Sequence, residues 1–413
     1  MQQYGLLGEK LGHSFSPQIH ALLGRALGGE YPYRLFEVPP EGLEDFLKQG
    51  DFAGLNVTIP YKKAVLPYCA HLSPKAAAIG SVNTLVRRSD GTLFGDNTDY
   101  DGFVHLLHLL GLDVKGKKCL ILGSGGASLT VQAALRDLGA GDVVVVSRRG
   151  ENNYGNLRRH ADGRVLVNTT PVGMYPDNGN SPVSLSGFPA LEAVVDIIYN
   201  PAKTALLLEA EDRGIPAING LPMLVAQAAR AAELFTGLSV PAGVAESITA
   251  ELEKASKNIA LIGMPGCGKS TVGRHLAQLT GRPFFDCDEE ITARAGKAPS
   301  EIILSEGEAA FRRLEHEVLA ELSARSGAVI ATGGGVVTRP ENRPLLRQNS
   351  VAVYLRRPLE DLPTQGRPLS QREGLEALYR RRAPLYEAWS DFQIEAALSP
   401  EETARKIKEA LKL

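Results

Sequence analysis

Along the chain, short apolar runs that stop at glycine or polar turns alternate with longer stretches whose apolar residues recur at helical spacing. The alternation predicts α/β architecture with parallel sheets, because a strand can lie parallel to the next only after a crossover segment. Two of the apolar runs are sharply bounded. Lys118–Leu122 leads into Gly123-Ser124-Gly125-Gly126-Ala127-Ser128, and Asn258–Ile262 leads into Gly263-Met264-Pro265-Gly266-Cys267-Gly268-Lys269-Ser270. Helix-like stretches follow both loops, Ser128 to Leu138 in the first case, so two strand-loop-helix units with separate nucleotide sites are expected. Leu221 to Lys254 reads as two helices, and the polar run Glu251 to Lys257 places a boundary near residue 256 without a Gly/Ser-rich tether.

Composition narrows the classes. A chain of 413 residues suits two or three domains, and a net charge of -2 carries no footprint for nucleic acid. No segment reaches the roughly 20 apolar residues of a membrane helix. The N-terminus carries no basic region followed by an apolar run, so a cytoplasmic location is expected. Cys69, Cys119, Cys267 and Cys287 are scattered and read as reduced thiols, and the histidines form no metal constellation.

In a dinucleotide loop the first glycine makes a tight turn, the second lets backbone approach the pyrophosphate, and a small third residue lets helix and strand pack closely. Gly123, Gly125 and Ser128 supply that series, with Ser124, Gly126 and Ala127 between them. The next strand, Val143 to Val146, ends in Ser147-Arg148-Arg149, about 20 residues beyond the loop, where an NAD site would place an acidic residue on the ribose. A cationic end suits the 2′-phosphate of NADP; the alternative is that both arginines are solvated turn residues.

Gly12-His13-Ser14-Phe15-Ser16-Pro17, Asn56-Val57-Thr58-Ile59-Pro60-Tyr61-Lys62, Ser81-Val82-Asn83-Thr84 and Asn97-Thr98-Asp99 follow in order. With Asn168-Thr169-Thr170 and Met223-Leu224-Val225-Ala226-Gln227, they resemble the shikimate dehydrogenase family over about the first 255 residues. Reducing a ketone builds negative charge on its oxygen, so a proton donor and a group that aligns it are needed. The resemblance implies that Lys62 protonates the carbonyl oxygen of 3-dehydroshikimate and that Asp99 holds the ammonium in place. Ser14 and Ser16, two apart on an extended segment, would face the substrate carboxylate together, or would form a cap or turn ahead of Pro17. Thr58, Asn83, Tyr199 and Gln227 match positions lining the ring hydroxyls or carboxylate, and Ile197 and Gly220 match positions at the nicotinamide end. One departure is visible: from Ser147 to Val165 the chain is short for the family, so a helix and part of the nucleotide-binding sheet are expected to be missing.

The second loop fits G-x-x-x-x-G-K-S. The backbone of Gly266, Cys267 and Gly268 would cradle phosphates together with Thr271, Lys269 would reach the β and γ groups, and Ser270 would ligate Mg2+. A phosphate loop names the donor, ATP, and not the acceptor. Phe284-Phe285-Asp286-Cys287-Asp288, Gly307 to Glu315, Thr332-Gly333-Gly334-Gly335, Gly366-Arg367-Pro368-Leu369 and Arg381 to Tyr386 resemble shikimate kinase over about residues 257–413. The resemblance implies that Asp286 helps hold Mg2+ and that Asp288 binds the acceptor hydroxyl and takes its proton. It further implies that Arg312 and Arg382 grip the shikimate carboxylate, that Gly334 lies against the acceptor, and that Arg367 in a mobile lid stabilises the transferring phosphoryl group. Asp286 and Asp288 would share one side of an extended segment, and Glu315 would either steady Arg312 or form a solvent-exposed ion pair with it.

The expected protein is therefore α/β throughout. A substrate domain over residues 1–102, completed by 221–255, precedes a Rossmann-like NADP domain over 103–220 and a nucleoside-monophosphate-kinase-like P-loop domain over 257–413. NADP(H), ATP and Mg2+ are the expected cofactors, 3-dehydroshikimate and shikimate the expected small-molecule partners, with no nucleic acid or membrane partner and with homo-oligomers allowed. Two alternatives stand: an NAD-using quinate/shikimate dehydrogenase in front, or one half that binds shikimate without catalysis.

Overall fold

The computed structural model describes residues 3–12, 14–29, 31–363 and 374–413. His13 and Arg367, with the Gly366 to Leu369 motif, lie outside the described residues. The chain divides into two compact units, one of Met1–Val172, Ser181–Tyr199 and Glu209–Glu251, the other of Gly173–Asn180, Asn200–Leu208 and Leu252–Leu413.

The first unit contains two sheets. β1 (Tyr4–Gly8), β2 (Tyr33–Glu37), β3 (Gly54–Val57), β4 (Cys69–Leu72), β5 (Thr84–Arg87) and β6 (Leu93–Asp96) form a mixed sheet in the order β2-β1-β3-β5-β6-β4. β5 runs antiparallel to both neighbours, and its register sets Thr84 opposite Asn56 on one side and Asp96 on the other. Three polar motifs distant in sequence thus meet at one end of the sheet. Directly after β6 the helix Thr98–Leu109 begins, so Asp99 stands in its first turn.

β7 (Lys118–Leu122), β8 (Asp142–Val146), β9 (Val165–Asn168), β10 (Ala193–Asp196) and β11 (Ala217–Ile218) form an all-parallel sheet in the order β11-β10-β9-β7-β8. Leu120, Ile121, Leu166, Val167 and Val194 are completely buried, as a sheet covered on both faces requires. β7 coincides with the predicted run, and the helix Gly126–Asp137 starts two residues earlier than the sequence pattern suggests. From β7 the chain crosses to β8 on one side and returns to β9 on the other, leaving a crevice at the strand carboxyl ends between the loops. Between β8 and β9 the chain makes one 3-10 turn, Leu157–His160, in place of an α-helix, in keeping with the shortening read from the sequence. The helices Leu221–Thr236 and Val244–Ser256 are the expected pair.

The second unit carries β12 (Asn258–Ile262), β13 (Phe284–Asp286), β14 (Val329–Ala331), β15 (Ser350–Arg356) and β16 (Phe392–Glu395) in the parallel order β13-β14-β12-β15-β16. Its core gathers Ile259 to Ile262, Val329, Ile330 and Val353 with the helices that flank them. The carboxyl ends of β12, β13 and β14 put the phosphate loop, Asp286 and the Gly333 to Gly335 turn side by side.

Two candidate active sites

In the first unit Lys62 and Asp99 meet. The Lys62 ammonium lies 2.6 Å from Asp99 Oδ2, and Asn83 Nδ2 donates to the other carboxylate oxygen at 2.9 Å. Asp99 is buried and Lys62 half-buried, so the carboxylate is fixed by the protein while the lysine side chain stays partly open to solvent. Asn83 Oδ1 accepts from the Thr98 amide at 2.7 Å, which fixes the amide orientation and aims Nδ2 at Asp99. Ser14 and Ser16 do come together, with hydroxyls 3.1 Å apart, but not on an extended segment. The Ser16 amide donates to Ser14 Oγ at 3.2 Å and Ser16 opens the helix Ser16–Ala26, so a helix-entry turn pairs the hydroxyls.

Tyr199 packs against Phe15, the residue between the two serines, with ring centroids 5.7 Å apart; burial raises its pKa. Gln227 projects from the helix Leu221–Thr236 with Oε1 buried and without a partner, an acceptor left over for a ligand. That helix lies close to the Asp99 helix because Gly102 carries no side chain: a Cβ there would meet Met223 O at 2.6 Å. Gly102 was missed by sequence reasoning, although a glycine inside a helical pattern, one turn beyond Asp99, was the available signal. Thr58 is half-buried just beyond β3, its amide tied to Leu7 O at 2.9 Å.

Gly123 has φ +104, a backbone conformation closed to larger residues, and a Cβ there would also meet Thr169 Oγ1 at 2.8 Å. Ser124 and Gly125 are exposed ahead of the helix Gly126–Asp137 and Gly126 is exposed at its first position, so the positive helix end lies at the carboxyl end of β7. Ala127 is half-buried and Ser128 fully buried against the sheet, as close packing of helix on strand demands. Ser147 Oγ donates to Arg149 O at 2.9 Å and shapes the turn, while Arg148 and Arg149 are exposed. At the far edge Gly220 abuts Ile197 so closely that a Cβ would fall 1.9 Å from the Ile197 carbonyl oxygen.

In the second unit a cavity of about 960 Å3 is lined by Lys269, Ser270, Asp288, Arg312, Gly334 and Arg382 among others, with Asp286 and Thr271 also on its wall. Gly268, at φ +99, opens the helix Lys269–Thr280, and Lys269 folds back so that Nζ donates to Gly263 O at 2.9 Å and Met264 O at 3.0 Å. Gly266, Gly268, Ser270 and Thr271 line the cavity, whereas Cys267 is buried behind them. Asp286 and Asp288 are not on an extended segment. Asp286 ends β13 and caps the next helix, its Oδ1 accepting from the Asp288 amide at 2.9 Å, which turns both carboxylates toward the cavity. Asp288 is exposed along the cavity wall, and desolvation by the surrounding protein, reinforced by Asp286 and Glu315, pushes its carboxyl up to about 6, while Lys269 and Arg312 oppose the shift.

Arg312 pairs with Glu315 at 2.7 Å and with Glu308 at 3.1 Å. Glu315 is 1 % exposed, which decides between its two readings: it steadies a buried Arg312. Burial works against the Arg312 charge, and the two glutamates more than offset it. Glu308 went unmarked in the sequence, though its i, i+4 spacing to Arg312 was the signal. Arg382 is 1 % exposed; Nη1 donates to Gly334 O at 3.1 Å, while Nε and Nη2 have no partner. Burial lowers its pKa. The glycines beside it are required by crowding, since a Cβ on Gly333 would lie 2.2 Å from Glu315 Oε1 and one on Gly335 2.0 Å from Arg312 Nη1.

These arrangements define the class: an α/β oxidoreductase site built on a lysine-carboxylate pair, joined in one chain to a P-loop phosphotransferase site. Residues 6–85 match the model of the shikimate dehydrogenase substrate binding domain, 220–247 that of the shikimate 5'-dehydrogenase C-terminal domain, and 265–412 that of shikimate kinase. The shikimate dehydrogenase (NADP(+)) of Clostridium perfringens is 37% identical over 269 residues, covering 61% of this chain and 99% of that protein. A chorismate mutase/shikimate 5-dehydrogenase fusion protein from Clostridium acetobutylicum is 41% identical with a TM-score of 0.59, covering 61% of this chain and 97% of its own. Shikimate 5-dehydrogenase from Thermus thermophilus, solved with NADP(H) and shikimate, is 36% identical with a TM-score of 0.56, covering 61% of this chain and 99% of its own. The chain belongs to the shikimate dehydrogenase family and carries a shikimate kinase domain behind it. It is a bifunctional enzyme of the shikimate pathway.

Proposed function

We propose that the first unit reduces 3-dehydroshikimate to shikimate with NADPH and that the second phosphorylates the 3-hydroxyl of shikimate with ATP and Mg2+. The reading rests on one observation above all: each unit gathers the charged groups its reaction needs, Lys62 on Asp99 in one and Lys269, Asp288, Arg312 and Arg382 around one cavity in the other.

In the reductase the bound nicotinamide supplies a hydride to the ketone carbon. Lys62 gives its proton to the oxygen on which charge develops, and Asp99 and Asn83 hold that ammonium in line. Ser14, Ser16 and Tyr199 take the carboxylate, while Thr58, Asn83 and Gln227 orient the ring hydroxyls. The exposed amides of Ser124 to Gly126 fit a pyrophosphate, and Arg148 is the cation at hand for a 2′-phosphate, with Arg149 beside it. Ile197 and Gly220 offer backbone to the nicotinamide end.

In the kinase Arg312 and Arg382 hold the carboxylate; the two unpartnered guanidinium nitrogens of Arg382 suit a planar anion. Asp288 takes the acceptor proton as the hydroxyl oxygen bonds to the γ-phosphorus and the bond to the β-phosphate oxygen breaks, with Lys269 answering the charge on the phosphates and Arg367 assigned to the same task. Ser270 and Asp286 offer hydroxyl and carboxylate oxygens on the cavity wall, a hard donor set that fits Mg2+, which when bound neutralises phosphate charge. Among the described residues no helix is long and apolar enough to cross a membrane, and the free thiols of Cys69, Cys119, Cys267 and Cys287 fit a cytoplasmic setting.

The test is a pair of assays on the purified chain: NADPH oxidation driven by 3-dehydroshikimate, and ADP formation driven by shikimate with Mg2+. Both are expected. Faster turnover of quinate with NAD would replace the first assignment, and shikimate binding by calorimetry without turnover would make that unit a binding module.

A further inference from the structure

Behind the Lys62–Asp99 pair a chain of hydrogen bonds runs across the first sheet. Tyr33 OH donates to Asn56 Oδ1 at 2.8 Å. Asn56 Nδ2 lies 3.4 Å from Thr84 Oγ1, Thr84 Oγ1 donates to Asn83 Oδ1 at 3.0 Å, and Asn83 Nδ2 donates to Asp99 Oδ1 at 2.9 Å. The register explains the order, since Asn56 and Thr84 are direct partners across β3 and β5.

The orientation of Asn83 is fixed at the far end. A backbone N–H can only donate, so the Asn83 atom that accepts from Thr98 N at 2.7 Å is its oxygen. Thr84 Oγ1 gives its single proton to that oxygen at 3.0 Å and accepts from Asn56 Nδ2 at 3.4 Å, while Thr98 Oγ1 reaches the same Asn83 oxygen at 3.2 Å. Asn56 turns its nitrogen to Thr84 and its oxygen to Tyr33, whose hydroxyl donates. All donors point toward Asp99, and donors aligned in one sense polarise one another toward the carboxylate.

The start of the chain is also secured. His20, 1 % exposed, stacks on Tyr33 with centroids 3.9 Å apart and planes 10° from parallel, and its Nδ1 meets Tyr31 OH at 2.6 Å. Burial lowers the His20 pKa to about 3 and raises that of Tyr33, so the ring stack is neutral and the phenol keeps its proton. Thr84, Thr98 and Asn83 are buried, so a link lost among them leaves a buried polar group unsatisfied, while Tyr33 and Asn56 are half-buried.

We propose that Tyr33 and Thr84 are positioning residues for the reductase: through Asn56 and Asn83 they set the orientation of the Asp99 carboxylate that holds Lys62 over the substrate oxygen. The proposal rests on the assignment of Lys62 and Asp99 to ketone reduction.

The test is a double-mutant cycle of Tyr33→Phe and Thr84→Val in the full chain, with shikimate phosphorylation by the same preparation gauging the amount of intact protein. Each single change is expected to lower kcat for 3-dehydroshikimate about fivefold to tenfold with the KM for NADPH unchanged, and the double variant to lose little more than the worse single one. Thr84→Ser, which keeps the hydroxyl, is expected to restore near-parental kcat. Losses that multiply, or a Thr84→Ser as impaired as Thr84→Val, overturn the relay while leaving the reductase standing. If Thr84→Val does not fold, Asn56→Leu takes its place in the cycle with the same two outcomes. A parental chain with no 3-dehydroshikimate turnover would overturn the reductase assignment and the relay together.

Discussion

The two lysines at the centre of the two sites are held in opposite ways. Lys62 is half-buried and paired with a carboxylate 2.6 Å away, whereas Lys269 is buried and donates to carbonyl oxygens of its own loop. The difference follows from what each substrate brings. A ketone is neutral and acquires charge only as it reacts, so its proton donor must be aligned beforehand by the protein. Phosphates arrive fully charged, and a lysine resting on neutral carbonyls can turn to them without separating an ion pair. The proposed carboxylate grip follows the same logic: Arg382 has two buried nitrogens without partners, an arrangement that an incoming anion would complete.

The contrast can be broken most directly at the lysines. Lys269→Met is expected to slow shikimate phosphorylation by about 10³-fold while leaving 3-dehydroshikimate reduction intact, measured by ADP release and NADPH absorbance in one preparation. Lys62→Met should do the reverse, by about 10²-fold; loss of both activities from either change would end the picture of separate machinery.

At the carboxylate grip, Arg382→Met should raise the KM for shikimate about 30-fold with a small change in kcat, and Arg382→Lys should recover little of it, because an ammonium cannot reproduce the guanidinium fork. Asp288 supplies a pH signature. It must be ionised to accept the hydroxyl proton, so with its pKa near 6 phosphorylation should fall about tenfold per pH unit below that value. For stability the sign is opposite to that of a salt-bridged carboxylate. Its folded pKa lies above the ordinary 3.8, so the folded state binds the extra proton and stability declines as pH rises through roughly 4 to 6. Asp288→Asn should abolish that decline and raise the thermal midpoint of the second unit slightly at pH 7, with phosphorylation lost; a lower midpoint would show that the carboxylate is stabilised by its surroundings instead.

The smallest effect is expected at Arg148. Exposed on a shortened connection, its change to Ala should raise the KM for NADPH about threefold, read from initial rates at saturating 3-dehydroshikimate. A change in NADH use of the same size would mean that Arg148 does not read the 2′-phosphate.

Much of this was legible in the residues. β7 and β12 appear as uninterrupted apolar runs because both of their faces are covered, and the glycine loops after them are visible because few residues can adopt such turns. Lys62 and Asp99 could be named from their motifs, and so could Arg312 and Arg382. The local conformation of the acidic and serine pairs was not. Alternate spacing in sequence suggested extended segments, but Ser14 and Asp286 satisfy backbone amides of Ser16 and Asp288, a local bond that favours a turn into a helix over a strand.

The sequence by itself determined the two glycine-rich loops, because these depend on residue type at short spacing, while Lys62 with Asp99 and Arg312 with Arg382 were picked out by the resemblance of the motifs that hold them. Only the tertiary structure decided which way amides point and which charges are buried. Asn83 is aimed by a Thr98 amide on the next element, Glu315 is a buried brace and not a surface ion, and Asn56 meets Thr84 through strand register. Hydrogen-bond direction and desolvation arise between segments far apart in the chain, so no local reading could have fixed them.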